Sequence, residues 1–78
     1  MSQYYLIIDR KINLSDYANI YDYIKSVKKN DKVFIKFKPQ NKLDEYVVAT
    51  ILKDNNFNVI ATNKINKMQE YYIKAMKN

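Results

Sequence analysis

The 78-residue chain contains no cysteine, no histidine, no glycine and no tryptophan, and it has a single proline, Pro39. Each absence removes a class of chemistry or of conformation. Without thiol or imidazole there is no thiolate nucleophile, no proton shuttle working near neutrality, and no soft ligand set of the kind that holds zinc or copper. Without glycine there is no glycine-rich phosphate loop. Hydroxyls remain at Ser2, Ser15, Ser26, Thr50 and Thr62, but no histidine exists to activate them. Asp9 and the pair Asp44-Glu45 are hard-cation ligands in principle, yet adjacent carboxylates at a helix start are accounted for by the helix dipole. The expectation is a protein that binds rather than reacts: no enzyme activity, no cofactor and no metal site.

Length sets the architecture. A chain of about 80 residues makes one domain, here 1–78, and buries only about 60% of the surface its unfolded form exposes. With no disulfide, stability must come from packing or from association, so a homodimer is expected. The longest apolar stretch, Tyr46 to Leu52, falls far short of the ~20 residues that cross a bilayer, and no secretory signal is recognisable. A soluble cytoplasmic protein without membrane contact is the corresponding expectation.

In the absence of glycine, positive φ angles at turns fall to Asn and Asp. Asn30-Asp31, Asn55-Asn56, and Asn63 with Asn66 lie between periodic apolar segments and divide the chain into elements. Tyr4 to Asp9 reads as a first strand. Ser15 or Asp16 supplies a cap for a helix whose stripe is Tyr17, Ile20, Tyr21, Ile24 and Val27, running to about Lys28. Lys32 to Lys38 alternates Val33, Ile35 and Phe37 with Phe34, Lys36 and Lys38, and Pro39 stops this second strand. Leu43, Val47, Val48, Ile51 and Leu52 mark a second helix, with Asn41 or Lys42 near its start. Phe57, Val59 and Ala61 alternate with Asn58, Ile60 and Thr62. After a turn through Lys64 to Lys67, Tyr71, Ile73 and Ala75 alternate with Tyr72, Lys74 and Met76, closing a hairpin.

The order is βαβαββ. Two right-handed crossovers place both helices on one face of a four-stranded mixed sheet, so the fold class is an α/β two-layer sandwich. The other face then carries Phe34, Lys36, Lys38, Ile60, Tyr72, Lys74 and Met76. Aromatic rings beside lysines suit the stacking of unpaired bases with neutralisation of their phosphates. The same residues, Phe34, Ile60, Tyr72 and Met76 foremost, equally suit a dimer interface or another protein contact. Of the eight tyrosines, Tyr17 and Tyr21 fit the core stripe, whereas Tyr23 and Tyr72 are the ones expected to be exposed beside lysines.

Fourteen basic residues against eight acidic ones give +6, a balance that attracts polyanions within about one Debye length, ~8 Å in physiological salt. The same lysines also accord with a composition rich in Lys, Asn, Ile and Tyr. A second basic group is expected in loops: Arg10 and Lys11 before the first helix, Lys64 and Lys67 in the hairpin turn. Lys25, Lys28, Lys29 and Lys32 match a helix end and a strand lead-in.

The element order and lengths from residues 4 to 77 resemble the TusA/SirA-like sulfur-carrier domains. The similarity is carried by Lys28-Lys29-Asn30-Asp31, the strand Val33 to Phe37, the helix Leu43 to Lys53, Asn55 to Ile60, and Tyr71 to Lys74. In that family a Cys-Pro-x-Pro motif opens the first helix and carries sulfur as a persulfide. Asn13-Leu14-Ser15-Asp16 stands at that place here, with Asn13 where the cysteine would be, and an amide bears no persulfide. The resemblance therefore implies a scaffold that has lost sulfur transfer and acts through protein contacts in a sulfur-trafficking or regulatory complex. The chain also resembles the Alba chromatin proteins and the C-terminal domain of bacterial translation initiation factor three. The Alba resemblance implies nucleic-acid contacts by Arg10-Lys11, by the strand end Ile35 to Lys38, and by Lys64 and Lys67. The expected function is that of a small basic binding module for DNA or RNA, through Arg10, Lys11, Lys36, Lys38, Lys64, Lys67 and Lys74; the alternative is the cysteine-free protein-contact module.

Overall fold

The computed structural model describes residues 2–65 and 69–78. The elements are β1 (Gln3–Lys11), α1 (Leu14–Ile24), β2 (Lys32–Lys38), α2 (Lys42–Asp54), β3 (Phe57–Ile65) and β4 (Glu70–Lys77). They form a four-stranded sheet in the order β1-β2-β4-β3, parallel between β1 and β2 and antiparallel at the other two junctions. This is the βαβαββ mixed sheet read from the periodicities.

Both helices cover the same face. Val33, Ile35 and Phe37 of β2 and Ile73 and Ala75 of β4 are wholly buried against Ile20 and Ile24 of α1 and Val48 and Leu52 of α2. Each large side chain taken out of water in this way contributes roughly 1.5–3 kcal/mol. Among the described residues no helix is long and apolar enough to cross a membrane.

The helices start with one device used twice. Asn13 caps α1: its side chain accepts from the N–H groups of Ser15 and Asp16, and the Asp16 carboxylate accepts from the Asn13 N–H at 2.9 Å. Asn41 does the same for α2 with Asp44. The α1 cap is thus Asn13 rather than Ser15 or Asp16, because only the residue before the helix has the extended backbone that aims its side chain at the free first-turn amides.

Several boundaries differ from the sequence reading. The first helix ends at Ile24, not Lys28, since the Val27 N–H turns back to the Ile24 carbonyl and the Ser26 hydroxyl caps that of Tyr23; Val27 remains buried beyond the helix. Tyr21 is 41% exposed and Leu43 65% exposed, so both lie outside the core. Tyr23 takes the inward position instead, edge-on to Tyr4 with centroids 6.4 Å apart and its hydroxyl on the Tyr5 carbonyl. Turns without glycine use Asn30 (φ 72°), Asn56 (φ 66°) and Gln69 (φ 51°); the two asparagines follow the expectation, and Gln69 was not singled out by it.

In β3 the register shifts between Val59 and Ala61. This bulge puts Ala61 opposite Lys74, so it does not continue the inward alternation of Phe57 and Val59. The pairing also carries β3 on to Ile65 and makes Lys64 a strand residue opposite Tyr71. Arg10 and Lys11 likewise belong to β1 rather than to a loop.

Removing either cap side chain tests this account. Asn13→Ala and Asn41→Ala should each cost about 1 kcal/mol, seen as a fall in Tm of about 4–8 °C for a domain of this size.

Candidate functional site

The uncovered sheet face is assembled by register. Reading across β1, β2, β4 and β3, one row is Tyr5, Phe34, Lys74 and Ala61, and the next is Ile7, Lys36, Tyr72 and Asn63. Rings and lysines therefore alternate diagonally over the centre of the sheet. Tyr5 and Phe34 lie stacked, 5.3 Å between centroids with planes 8° apart, and Phe34 meets Tyr72 at 6.2 Å and 46°. The Lys74 ammonium sits 5.0 Å from the Phe34 ring centroid, a cation–π contact that holds the charge over the aromatic row. Tyr5, Ile7, Phe34, Lys36 and Tyr72 line a shallow groove along this row.

One acidic group belongs to the same face. Glu70 is buried, with Oε2 3.4 Å from the Lys36 ammonium and Oε1 without a hydrogen-bond partner among the described residues. An unsatisfied buried carboxylate oxygen is costly, and among the described residues Lys36 is the compensating charge.

The residues singled out from the sequence are distributed unevenly. Phe34, Tyr72 and Met76 are half-buried on the open face, and Ile60 lies at the β3 bulge, 46% exposed. Lys36, Lys38 and Lys74 share the parity of the open face, and Lys11 pairs with Lys38 at its end. Arg10 is committed elsewhere, in a two-pronged ion pair with buried Asp16 at 2.6 and 2.7 Å. Lys64, opposite core-side Tyr71, belongs to the helix side of the sheet and lines a separate hollow with Pro39, Asn41 and Glu45. Lys67 lies outside the described residues. Tyr5, Ile7 and Glu70 were not anticipated: the apolar run of β1 has no polar alternation to reveal an outward side, and Glu70 lies between the expected turn, Lys64 to Lys67, and the alternation expected from Tyr71.

Asn13, standing where the resemblance places a cysteine, is fully used as the α1 cap. Around it the helix starts are tied together. The Tyr17 hydroxyl donates to Asp44 Oδ1, and Gln40 Nε2 donates to the Ile12 carbonyl at 2.6 Å. Bonding to Arg10 holds the Asp16 carboxyl below its usual range against the opposing effect of burial. Burial acts to raise Asp44, but the Tyr17 hydroxyl and the N–H groups of Gln40 and Asn41 outweigh it and hold that carboxyl low. Burial, with the Asp44 hydrogen bond, pushes Tyr17 up to about 12. Among the described residues no three His, Cys, Asp or Glu side chains gather as metal ligands. The cluster is structural, and the open face is the candidate site.

Compared with known proteins, the chain matches no family model, no curated protein and no solved structure. The functional reading accordingly rests on the geometry of the chain itself.

The helix-start cluster has a pH signature. Asp16 and Asp44 titrate lower folded than unfolded, so their contribution is complete above the ordinary carboxylate pKa of about 4 and is lost as pH falls through the folded values. Tyr17 titrates higher when folded, so its contribution holds below about pH 10 and is lost as pH rises through about 12. Denaturant unfolding followed against pH should therefore weaken on both sides. Asp16→Asn combined with Asp44→Asn should flatten the acid limb, and Tyr17→Phe the alkaline one.

Proposed function

We propose that this protein binds single-stranded nucleic acid on the open face of its sheet. The observation that carries the reading is the row Tyr5–Phe34–Tyr72, left uncovered by the helices and interleaved with Lys36 and Lys74. Bases with no partner strand stack on such rings, gaining about 1–3 kcal/mol each, and do so with little regard to sequence. The lysines supply phosphate contacts, and the net charge of +6 favours encounter with a polyanion. A duplex offers its bases only edge-on in the grooves, so the uncovered ring row favours single strands over double. Arg10, tied to Asp16, and Lys64, on the helix side, stand apart from this surface; Lys38 and Lys11 extend it at one end.

Titration of oligonucleotides against salt tests the proposal. Binding of a single strand should weaken linearly in log–log form as salt rises, and Lys74→Gln should reduce the slope by about 0.7. Phe34→Ala and Tyr72→Ala should each weaken binding about 5- to 150-fold, the equivalent of one lost stack. Glu70→Gln should tighten it, because Lys36 is then released to phosphate. No binding at about 50 mM salt, or equal binding of single and double strands, would overturn the reading.

The element order supports a second reading, a TusA/SirA-like scaffold without its cysteine that meets a protein partner through this face. Substitutions of Phe34 and Tyr72 that abolish capture of such a partner while no oligonucleotide binds would favour it.

A further inference from the structure

The two edges of the sheet are not alike. β3 is interrupted by the bulge between Val59 and Ala61 and carries Asn58, Thr62, Asn63 and Lys64; bulges and polar or charged side chains deter edge pairing. β1 keeps a regular register with β2 from Gln3 to Ile7 and has no charge or proline before Asp9. Its side chains Tyr5 and Ile7 are 60% and 58% exposed.

The direction of its backbone groups follows from one bond. The Lys32 N–H donates to the Ser2 carbonyl at 3.0 Å, so Ser2 faces β2. Peptide groups alternate along a strand, so Tyr4 and Leu6 also serve β2, while Gln3, Tyr5 and Ile7 turn their N–H and C=O groups to the outer edge. The Tyr23 hydroxyl on the Tyr5 carbonyl agrees with that direction and leaves the carbonyl a second lone pair.

We propose that β1 pairs antiparallel with β1 of a second copy, about a twofold axis at Tyr5. Tyr5 then opposes Tyr5, Tyr4 opposes Leu6 and Gln3 opposes Ile7, so every outward-facing residue meets another outward-facing one and forms hydrogen-bonded pairs. A second copy fits because the edge is self-complementary in this register. The charged residues Asp9, Arg10 and Lys11 fall beyond the five paired residues, so two chains of +6 meet without opposing lysines. The product is one continuous sheet, four strands from each copy, with all helices on one side. The row Tyr72–Phe34–Tyr5 of one copy then runs into Tyr5–Phe34–Tyr72 of the other. That extension matters for nucleic acid only on the reading proposed above; the pairing stands on the edge alone.

Sedimentation without nucleic acid, from about 1 μM to about 1 mM, the range of modest protein contacts, decides it. The expected result is a concentration-dependent dimer in which the Gln3, Tyr5 and Ile7 amides gain protection from hydrogen exchange as it forms. Ile7→Pro and Gln3→Pro each remove an outward N–H that β2 does not use, and each should weaken dimerisation at least tenfold while Ile60→Lys on the opposite edge leaves it unchanged. Far-ultraviolet circular dichroism establishes that the proline variants are folded. A monomer throughout the range, a dimer whose three amides exchange as freely as in the monomer, or folded proline variants that dimerise normally would each overturn the proposal. None of these outcomes depends on oligonucleotide binding.

Discussion

The direction in which the chain crosses its own sheet governs the rest of the structure. β1 leads through α1 to its neighbour β2, and β2 leads through α2 to β3 on the same side, with β4 returning between them. Crossovers joining parallel strands are right-handed almost without exception. Two such steps taken in one direction must therefore set both helices on one face. The two helices are both used on the first face, so among the described residues no helix covers the second. That bare face is a consequence of topology, and its side chains are what the sequence has placed where topology leaves room.

Holding two short helices on a narrow sheet demands that their starts be fixed. The same Asn-x-x-Asp box opens each, and its first-turn carboxylates are then used a second time, Asp16 by Arg10 and Asp44 by Tyr17. Each carboxylate thus joins a helix dipole to another element: Asp16 binds α1 to the end of β1, and Asp44 binds α2 to α1. This double use accounts for the charge at Arg10, which a reading of net charge alone assigns to a ligand. It also gives Asn13 a complete structural role at the place where a sulfur carrier would hold its reactive group.

Legibility in the sequence followed the strength of the alternation. β2 was read to the residue, because Val33, Ile35 and Phe37 alternate with Phe34, Lys36 and Lys38 and Pro39 ends the strand. β1 gave no such signal: Tyr4 to Ile8 is apolar on both sides, and only the register with β2 separates inward Tyr4 and Leu6 from outward Tyr5 and Ile7. The β3 alternation was clear in sequence but false beyond Val59, since a bulge changes parity without changing composition. Tyr21, read as part of the helical stripe, and Tyr23, read as off it, exchanged roles: Tyr23 packs edge-on against the Tyr4 ring and is half-buried, while Tyr21 is exposed. The lysines of the open face were legible as alternation; the pairing of Lys36 with Glu70 was not, because it joins residues on different strands.

The charge that matters on the open face is smaller than the formal balance suggests. Arg10 is neutralised locally by Asp16 and Lys36 by Glu70, whereas Lys11, Lys32, Lys38 and Lys74, on or at the end of that face, have no ion-pair partner among the described residues. Each phosphate neutralised contributes only one increment of salt dependence, so these few lysines make a shallow electrostatic anchor. The rings contribute more, at about 1–3 kcal/mol for each stacked base. On the proposed reading, preference for a flexible, unpaired strand follows from the ratio of these terms: a surface dominated by stacking selects for exposed bases, whereas one dominated by charge would accept any polyanion. On that reading Glu70 sharpens the distinction, because its ion pair with Lys36 has to be exchanged for a phosphate contact.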